Sequence, residues 1–250
     1  MRKILLFFLL LGACSKSKTD ITPEDCFVSS IFSTSSVLSG TERFLYKFDE
    51  QTRIASVERV NSSTSTTYTY EASKLVIVDK SPSGATKTYQ YTITKDSQGR
   101  IISIFEPIFG NQHVITYNAD GYLSTVEYRV NGKMYVSSKR IYKDGNMVEN
   151  TVTDDQGRVN VYKYTYDLTK KNYSRIAEYA LGIELPAFSA GKFLLGPILG
   201  ESLKNLPVKA QLGSEESPMT YQFDSRSRPT QLTILIKNTT LQSFWEYNCP

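Results

Sequence analysis

Histidine is close to absent from this chain. His113 is the only one in 250 residues, alongside one tryptophan and three cysteines. A zinc site built on His/Cys spacing therefore has nothing to start from, and no EF-hand-like acid spacing or phosphate-binding glycine loop is present. Ser–His catalysis would rest on that one base, which opens an expected strand beside Gln112 and Val114 and is accounted for there as a structural or solvated residue. Charge of one sign is scarce too: 29 Lys and Arg against 25 Asp and Glu leave +4, and two of those charges sit on Arg2 and Lys3. No stretch clusters basic residues without interleaved acids, so nucleic acid is not an expected partner. Long apolar runs are missing; Ile4 to Leu11 is too short to span a bilayer as a helix.

What is present at the N-terminus is a basic start, Met1-Arg2-Lys3, then that short apolar run, the layout of a signal peptide over residues 1–13. Leu11-Gly12-Ala13-Cys14 resembles the lipobox of bacterial lipoproteins. The resemblance implies cleavage before Cys14, lipidation of its thiol, and a membrane partner reached through the acyl chains. Residues 14–25 are then a polar, flexible tether, and 26–250 a single domain. Cys26 and Cys249 form an even pair in an exported chain, and a disulfide between them would close nearly the whole domain into a loop; two free, buried thiols are the alternative.

A repeat organises the rest. Asp49 to Ile54, Asp96 to Ile101, Asn118 to Leu123, Asp154 to Val159 and Asp224 to Pro229 share one design. An acid or Asn opens a turn, Gly or a small polar residue stands fourth, a long side chain follows, and usually an aliphatic. Asp and Asn accept hydrogen bonds from backbone N–H groups two residues on, and Gly tolerates the positive φ that ends such a hairpin turn. Turn chemistry thus explains Asp96, Asp120, Asp144, Asp154, Asp155 and Asp224 without calcium or an acid pair. Before several turns runs a strict alternation, as in Tyr46-Lys47-Phe48, Tyr68-Thr69-Tyr70, Tyr89-Gln90-Tyr91 and Tyr162-Lys163-Tyr164-Thr165-Tyr166. Period two puts each aromatic set on one face of a strand. Asn131-Gly132 and Ser81-Pro82-Ser83-Gly84 supply turns at the opposite strand ends.

Tyr-x-Phe-Asp-x-x-(small)-Arg, at Tyr46 to Arg53 and Tyr221 to Arg228, resembles the tyrosine–aspartate (YD) repeats of Rhs-type proteins. Together with the lipobox and a late Leu/Pro/Gly interruption it is similar to lipoproteins common in Bacteroidota. Uneven spacing between turns departs from the Rhs array.

The expected fold is all-β, an antiparallel meander of hairpin repeats forming a curved sheet or open roll. An apolar Pro/Gly/Leu-rich insertion at 181–213 would cover part of it, with Ser202 to Leu206 a short helix at most. The expected function is a non-enzymatic, lipid-anchored module of the cell envelope that binds or scaffolds, with a glycan or another envelope protein as partner. A glycan-processing hydrolase and a structural part of an outer-membrane complex are the alternatives. Tyr89, Tyr91, Tyr162, Tyr164 and Tyr166 are the candidate ligand-stacking residues on an exposed sheet face. No metal and no cofactor is expected; the location expected is the outer membrane, with the periplasmic or surface face open.

Overall fold

The structure is a computed structural model, and it describes residues 27–35, 41–49, 53–173 and 201–248. The signal peptide, Cys14 with its tether, both Cys26 and Cys249, and residues 174–200 of the expected insertion lie outside the described residues.

Among the described residues sixteen strands follow one another: β1 (Phe27–Ser35), β2 (Thr41–Phe48), β3 (Ile54–Arg59), β4 (Thr64–Tyr70), β5 (Lys74–Lys80), β6 (Thr86–Lys95), β7 (Ile101–Glu106), β8 (Asn111–Tyr117), β9 (Leu123–Val130), β10 (Lys133–Lys143), β11 (Asn146–Asp154), β12 (Val159–Lys171), β13 (Asn205–Leu212), β14 (Glu215–Phe223), β15 (Pro229–Ile236) and β16 (Thr239–Asn248). Each pairs antiparallel with the next, as the alternation and turns predict. The expected open sheet or roll is corrected at its edges. β1 pairs with β16, Ile31 opposite Trp245 and Val28 opposite Tyr247, and the meander closes into a barrel.

The means of closure recurs at one level. The register slips by a residue just before five acid-type turns, at Lys47/Phe48, Thr94/Lys95, Thr116/Tyr117, Ile141/Tyr142 and Gln222/Phe223. A bulge bends and twists a sheet locally, so five at the same height curl it in one direction. Closure then pairs every strand edge, the one arrangement that leaves none open to another chain.

The two ends of the barrel differ. One rim, here the turn rim, carries the turns opened by Asp49, Asp96, Asn118, Asp144 and Asp224, and both the first and last strand reach it. The other, the mouth rim, carries the turns at 81–85, 107–110, 131–132 and 237–238. The Asp154 turn, which reads like its siblings in sequence, falls on the mouth rim because it follows an odd-numbered strand.

The last third of the expected insertion is also corrected. Asn205–Leu212 is a full barrel strand, and no helix forms at Ser202 to Leu206. Residues 201–204 instead run along the turn rim. The Glu201 N–H donates to the Gly121 carbonyl at 3.0 Å and the Lys204 N–H to the Gly145 carbonyl at 3.1 Å. Leu203 is buried there, and Asn205 and Asn146 exchange two hydrogen bonds of 2.9 Å.

Period two sorts the wall into two faces. Inward stand Tyr68, Leu75, Ile77, Tyr91, Ile93, Ile104, Ile115 and Val126, all buried. Outward stand Thr67, Thr69, Gln90, Thr92, Thr116, Lys139, Lys163 and Thr165, all exposed. Ion pairs lie on that outer face too, Arg129 with Glu127 at 2.6 Å and Lys209 with Glu216 at 2.7 Å. Burying the inward aliphatics is the main stabilising term, about 1.5–3 kcal/mol for each side chain.

Candidate functional site

The turns come first, because they hold the inner wall in place. In Asp96-Ser97-Gln98-Gly99-Arg100 the Asp96 carboxylate accepts from the N–H groups of Gln98 and Arg100, at 2.9 Å each, and from Arg100 Nε at 2.7 Å. Gly99 takes φ +79°, which a side chain would resist. The guanidinium, so fixed, stands 4.3 Å from the ring centroid of Tyr117, whose hydroxyl donates to the Ile101 carbonyl at 2.7 Å. The unit repeats at Asp224–Arg228–Tyr247–Pro229, with 4.7 Å to the ring and 2.6 Å to the carbonyl. At Asn118 an aromatic replaces the arginine, and Tyr122 stacks on Tyr142 with centroids 4.9 Å apart. Tyr142 and Tyr166 donate to the carbonyls of Leu123 and Met147. The tyrosine of one hairpin therefore clamps the first residue after the preceding turn.

Burial raises the Asp96 and Asp224 carboxyls, and the hydrogen bonds from the arginine side chain and the turn backbone outweigh it, so both titrate below the ordinary carboxylate range. Asp154 makes the same turn on the mouth rim and is lowered in the same way, but its Arg158 is 71% exposed. These acids are turn and clamp residues, as the sequence implies.

The five candidate tyrosines are all on the inner face, not on an exposed one. Tyr91 is buried, Tyr166 is spent on the Met147 carbonyl, and Tyr89 lies under the Lys87 ammonium at 4.7 Å. β6 and β12 are well separated around the barrel, so the two sets form no common stacking platform.

Toward the mouth the inner wall becomes polar; on β6 and β14 it also becomes wetter, whereas Glu106, His113 and Tyr128 stay buried. Down β6 the inward residues run from exposed Lys87 through half-buried Tyr89 to buried Tyr91 and Ile93. Down β14 they run from exposed Glu215 through Ser217 to buried Met219. Thr66 donates to Asp79 at 2.7 Å across β4 and β5, and Asn111 donates to Glu106 Oε2 at 3.0 Å. His113 is buried against Tyr128 with ring centroids 4.9 Å apart. Among the described residues no group of three or more His, Cys, Asp or Glu could hold a metal ion.

Two charged residues on this wall went unnoticed in the sequence. Glu106 is buried with Oε1 unpartnered, and Arg140 is buried with Nη1 unpartnered. The signal was there: each is in phase with inward residues, Glu106 with Ile104, and Arg140 with Ser138 and Tyr142. Arg140 Nε donates to Ser138 Oγ at 3.3 Å, and Ser138 Oγ donates to Asn150 Oδ1 at 2.7 Å. Burial pushes the Arg140 guanidinium down, with Tyr142 and Tyr164 opposing. Burial likewise raises the Tyr164 hydroxyl, to about 12 against the pull of Arg140 and Asn150.

No family model and no curated protein matches the chain. Solved structures do. A porin-like protein from Bacteroides uniformis ATCC 8492 aligns at a TM-score of 0.69 and 19% identity over 92% of this chain and 99% of that one. A porin-like protein from Bacteroides vulgatus ATCC 8482 aligns at 0.60 and 16% identity over 90% and 99%. The resemblance to YD-repeat lipoproteins is corrected accordingly. So is the expected lipid-anchored module for binding or scaffolding: the sheet that was to offer an open aromatic face is sealed on itself, with those rings inside. The chain shares with these porin-like proteins a closed antiparallel barrel along nearly its whole length.

Proposed function

We propose that this chain is a porin-type barrel at the outer membrane that admits small solutes to its lumen through a single mouth. The observation that carries this reading is the exposure gradient on the inner wall of β6, β12 and β14, wet at the mouth rim and dry below it. In porins, barrels of this strand number keep an aqueous channel; here the lower inner wall packs into a dry core, and the lumen lies at the mouth end. The likeness to porin-like barrels supports the same reading.

The polarity of the wall sets how such a barrel works. A strand crossing lipid shows apolar residues outward and polar ones inward, and Lys or Arg at the midplane costs about 2–4 kcal/mol. Here Lys139, Lys163, Glu127 and Arg129 lie outward and the aliphatics inward, so the outer wall faces water and solutes come and go by the mouth. Cysteines placed singly at Thr66, Asn160 and Ser217, in a chain whose three native cysteines are serine, should react quickly with a small thiol reagent. Cysteines at Val126 and Ile77 should react at least a hundredfold more slowly. Uniform protection of the mouth positions would refute the open mouth, and stable conductance steps in a planar bilayer would replace this reading with a through-going pore.

A further inference from the structure

Arg140 is a cation that the fold buries and leaves unbalanced. It sits on the inner face of β10, with Asn150 opposite on β11 and Tyr162 opposite Asn150 on β12. Its Nε goes to Ser138, the Tyr142 hydroxyl acts on its charge, and Nη1 has no partner. The neighbours that bear on it are hydroxyls, an amide and two tyrosine rings; among the described residues no carboxylate pairs with it. A charge taken out of water without a counter-ion is costly, and natural chains keep such a group where something else supplies the charge.

The site is within reach of the mouth. One inward step above the row Arg140–Asn150–Tyr162 lies the row Ser138–Val152–Asn160, and Asn160 is exposed. A solute entering at the rim would thus meet Asn160 and Val152 before the guanidinium.

We propose that Arg140 is an anion site of the lumen, taking the carboxylate of a small organic monoanion on its free Nη1, with the organic part on the mouth side, against the ring of Tyr162. One unbalanced positive charge matches one negative charge, which favours a monocarboxylate over a phosphate dianion. Phenol rings on the wall favour an apolar or aromatic body over a sugar acid. The proposal rests on the reading of the lumen as open to solutes, and its test separates the two.

The probe is sodium benzoate, titrated calorimetrically into the full chain at constant ionic strength, with neutral benzyl alcohol and sodium sulfate as parallel arms. Saturable benzoate binding is expected, at least tenfold tighter than either parallel probe. Arg140→Gln should weaken it at least tenfold and Arg140→Lys less. Tyr162→Phe, which keeps the ring, should change it less than threefold while Tyr162→Ala weakens it further. Because Arg140→Gln removes a buried charge, its thermal unfolding is expected at or above that of the unaltered chain, which keeps the comparison on folded protein. If benzoate and benzyl alcohol bind the unaltered and Arg140→Gln chains alike, the anion site is overturned and the lumen reading stands. If neither probe binds and the mouth cysteines stay protected, a water molecule satisfies Nη1 and both readings fall.

Discussion

Arg100 stands over Tyr117 at 4.3 Å, and the hydroxyl of that same tyrosine is hydrogen-bonded to the carbonyl of Ile101, the residue after the arginine. The pair locks a hairpin turn to the far end of the neighbouring hairpin. Asp96 completes the lock by holding the guanidinium in one orientation through a pair of contacts at 2.7 Å.

Removing the cation should show its worth. Arg100→Ala and Arg228→Ala each lose a ring contact and a charge-assisted hydrogen bond, and are expected to destabilise the barrel by about 1.5–3 kcal/mol. Arg158→Ala makes the same turn on the mouth rim with its side chain 71% exposed, and is expected to change stability by less than about 0.5 kcal/mol. Urea unfolding followed by circular dichroism compares the three.

Acid should loosen the turns. Asp96, Asp154 and Asp224 all titrate below the ordinary value in the folded barrel. A carboxyl lowered by folding stabilises fully above its unfolded value of about 3.9 and loses that contribution as pH falls through the folded one. The melting temperature should therefore hold near neutral pH and drop below about pH 4. Asp96→Asn with Asp224→Asn should lower the neutral-pH value and flatten the acid drop, whereas an unchanged slope would detach these acids from the transition.

The two faces of β5 and β6 offer a sharper contrast. Ile77→Ala removes a fully buried side chain and is expected to cost about 2–5 kcal/mol, while Thr92→Lys and Gln90→Lys on the outer face should stay within about 0.5 kcal/mol. Detergent-free solubility of the outer-face variants, measured by sedimentation, checks that this wall meets water.

Glycines at the rims should not be equivalent. Gly132 and Gly145 have φ of +81° and +82°, but a Cβ at Gly132 meets open space while one at Gly145 would fall 2.5 Å from Lys204 Cδ. Gly132→Ala is expected to cost about 1 kcal/mol from backbone strain alone. Gly145→Ala should cost more, because Lys204 is tied to the same glycine through its own N–H; thermal unfolding of the two variants measures the difference.

Much of the wall was legible in advance. Alternation in Tyr89-Gln90-Tyr91-Thr92-Ile93 fixes which residues share a face, because successive side chains on a strand point to opposite sides. Asp96-Ser97-Gln98-Gly99-Arg100 names its own turn through local hydrogen bonds. Neither property reaches past a few residues, so Asp154 could not be told from Asp96 although they lie at opposite rims. The same limit hid Arg140, which reads as one more charge in Ser138-Lys139-Arg140 until the phase of the strand is anchored to a buried partner.

By itself, then, the sequence determined strands, turns, and the pairing of neighbour with neighbour. All of these are settled by contacts close in the chain. Only the tertiary structure decided that Ser29 meets the Glu246 carbonyl across 217 residues, that the aromatic face turns inward, and that an arginine is buried on the inner face. Closure depends on bend accumulated over sixteen strands, a small increment at each bulge that no single repeat displays.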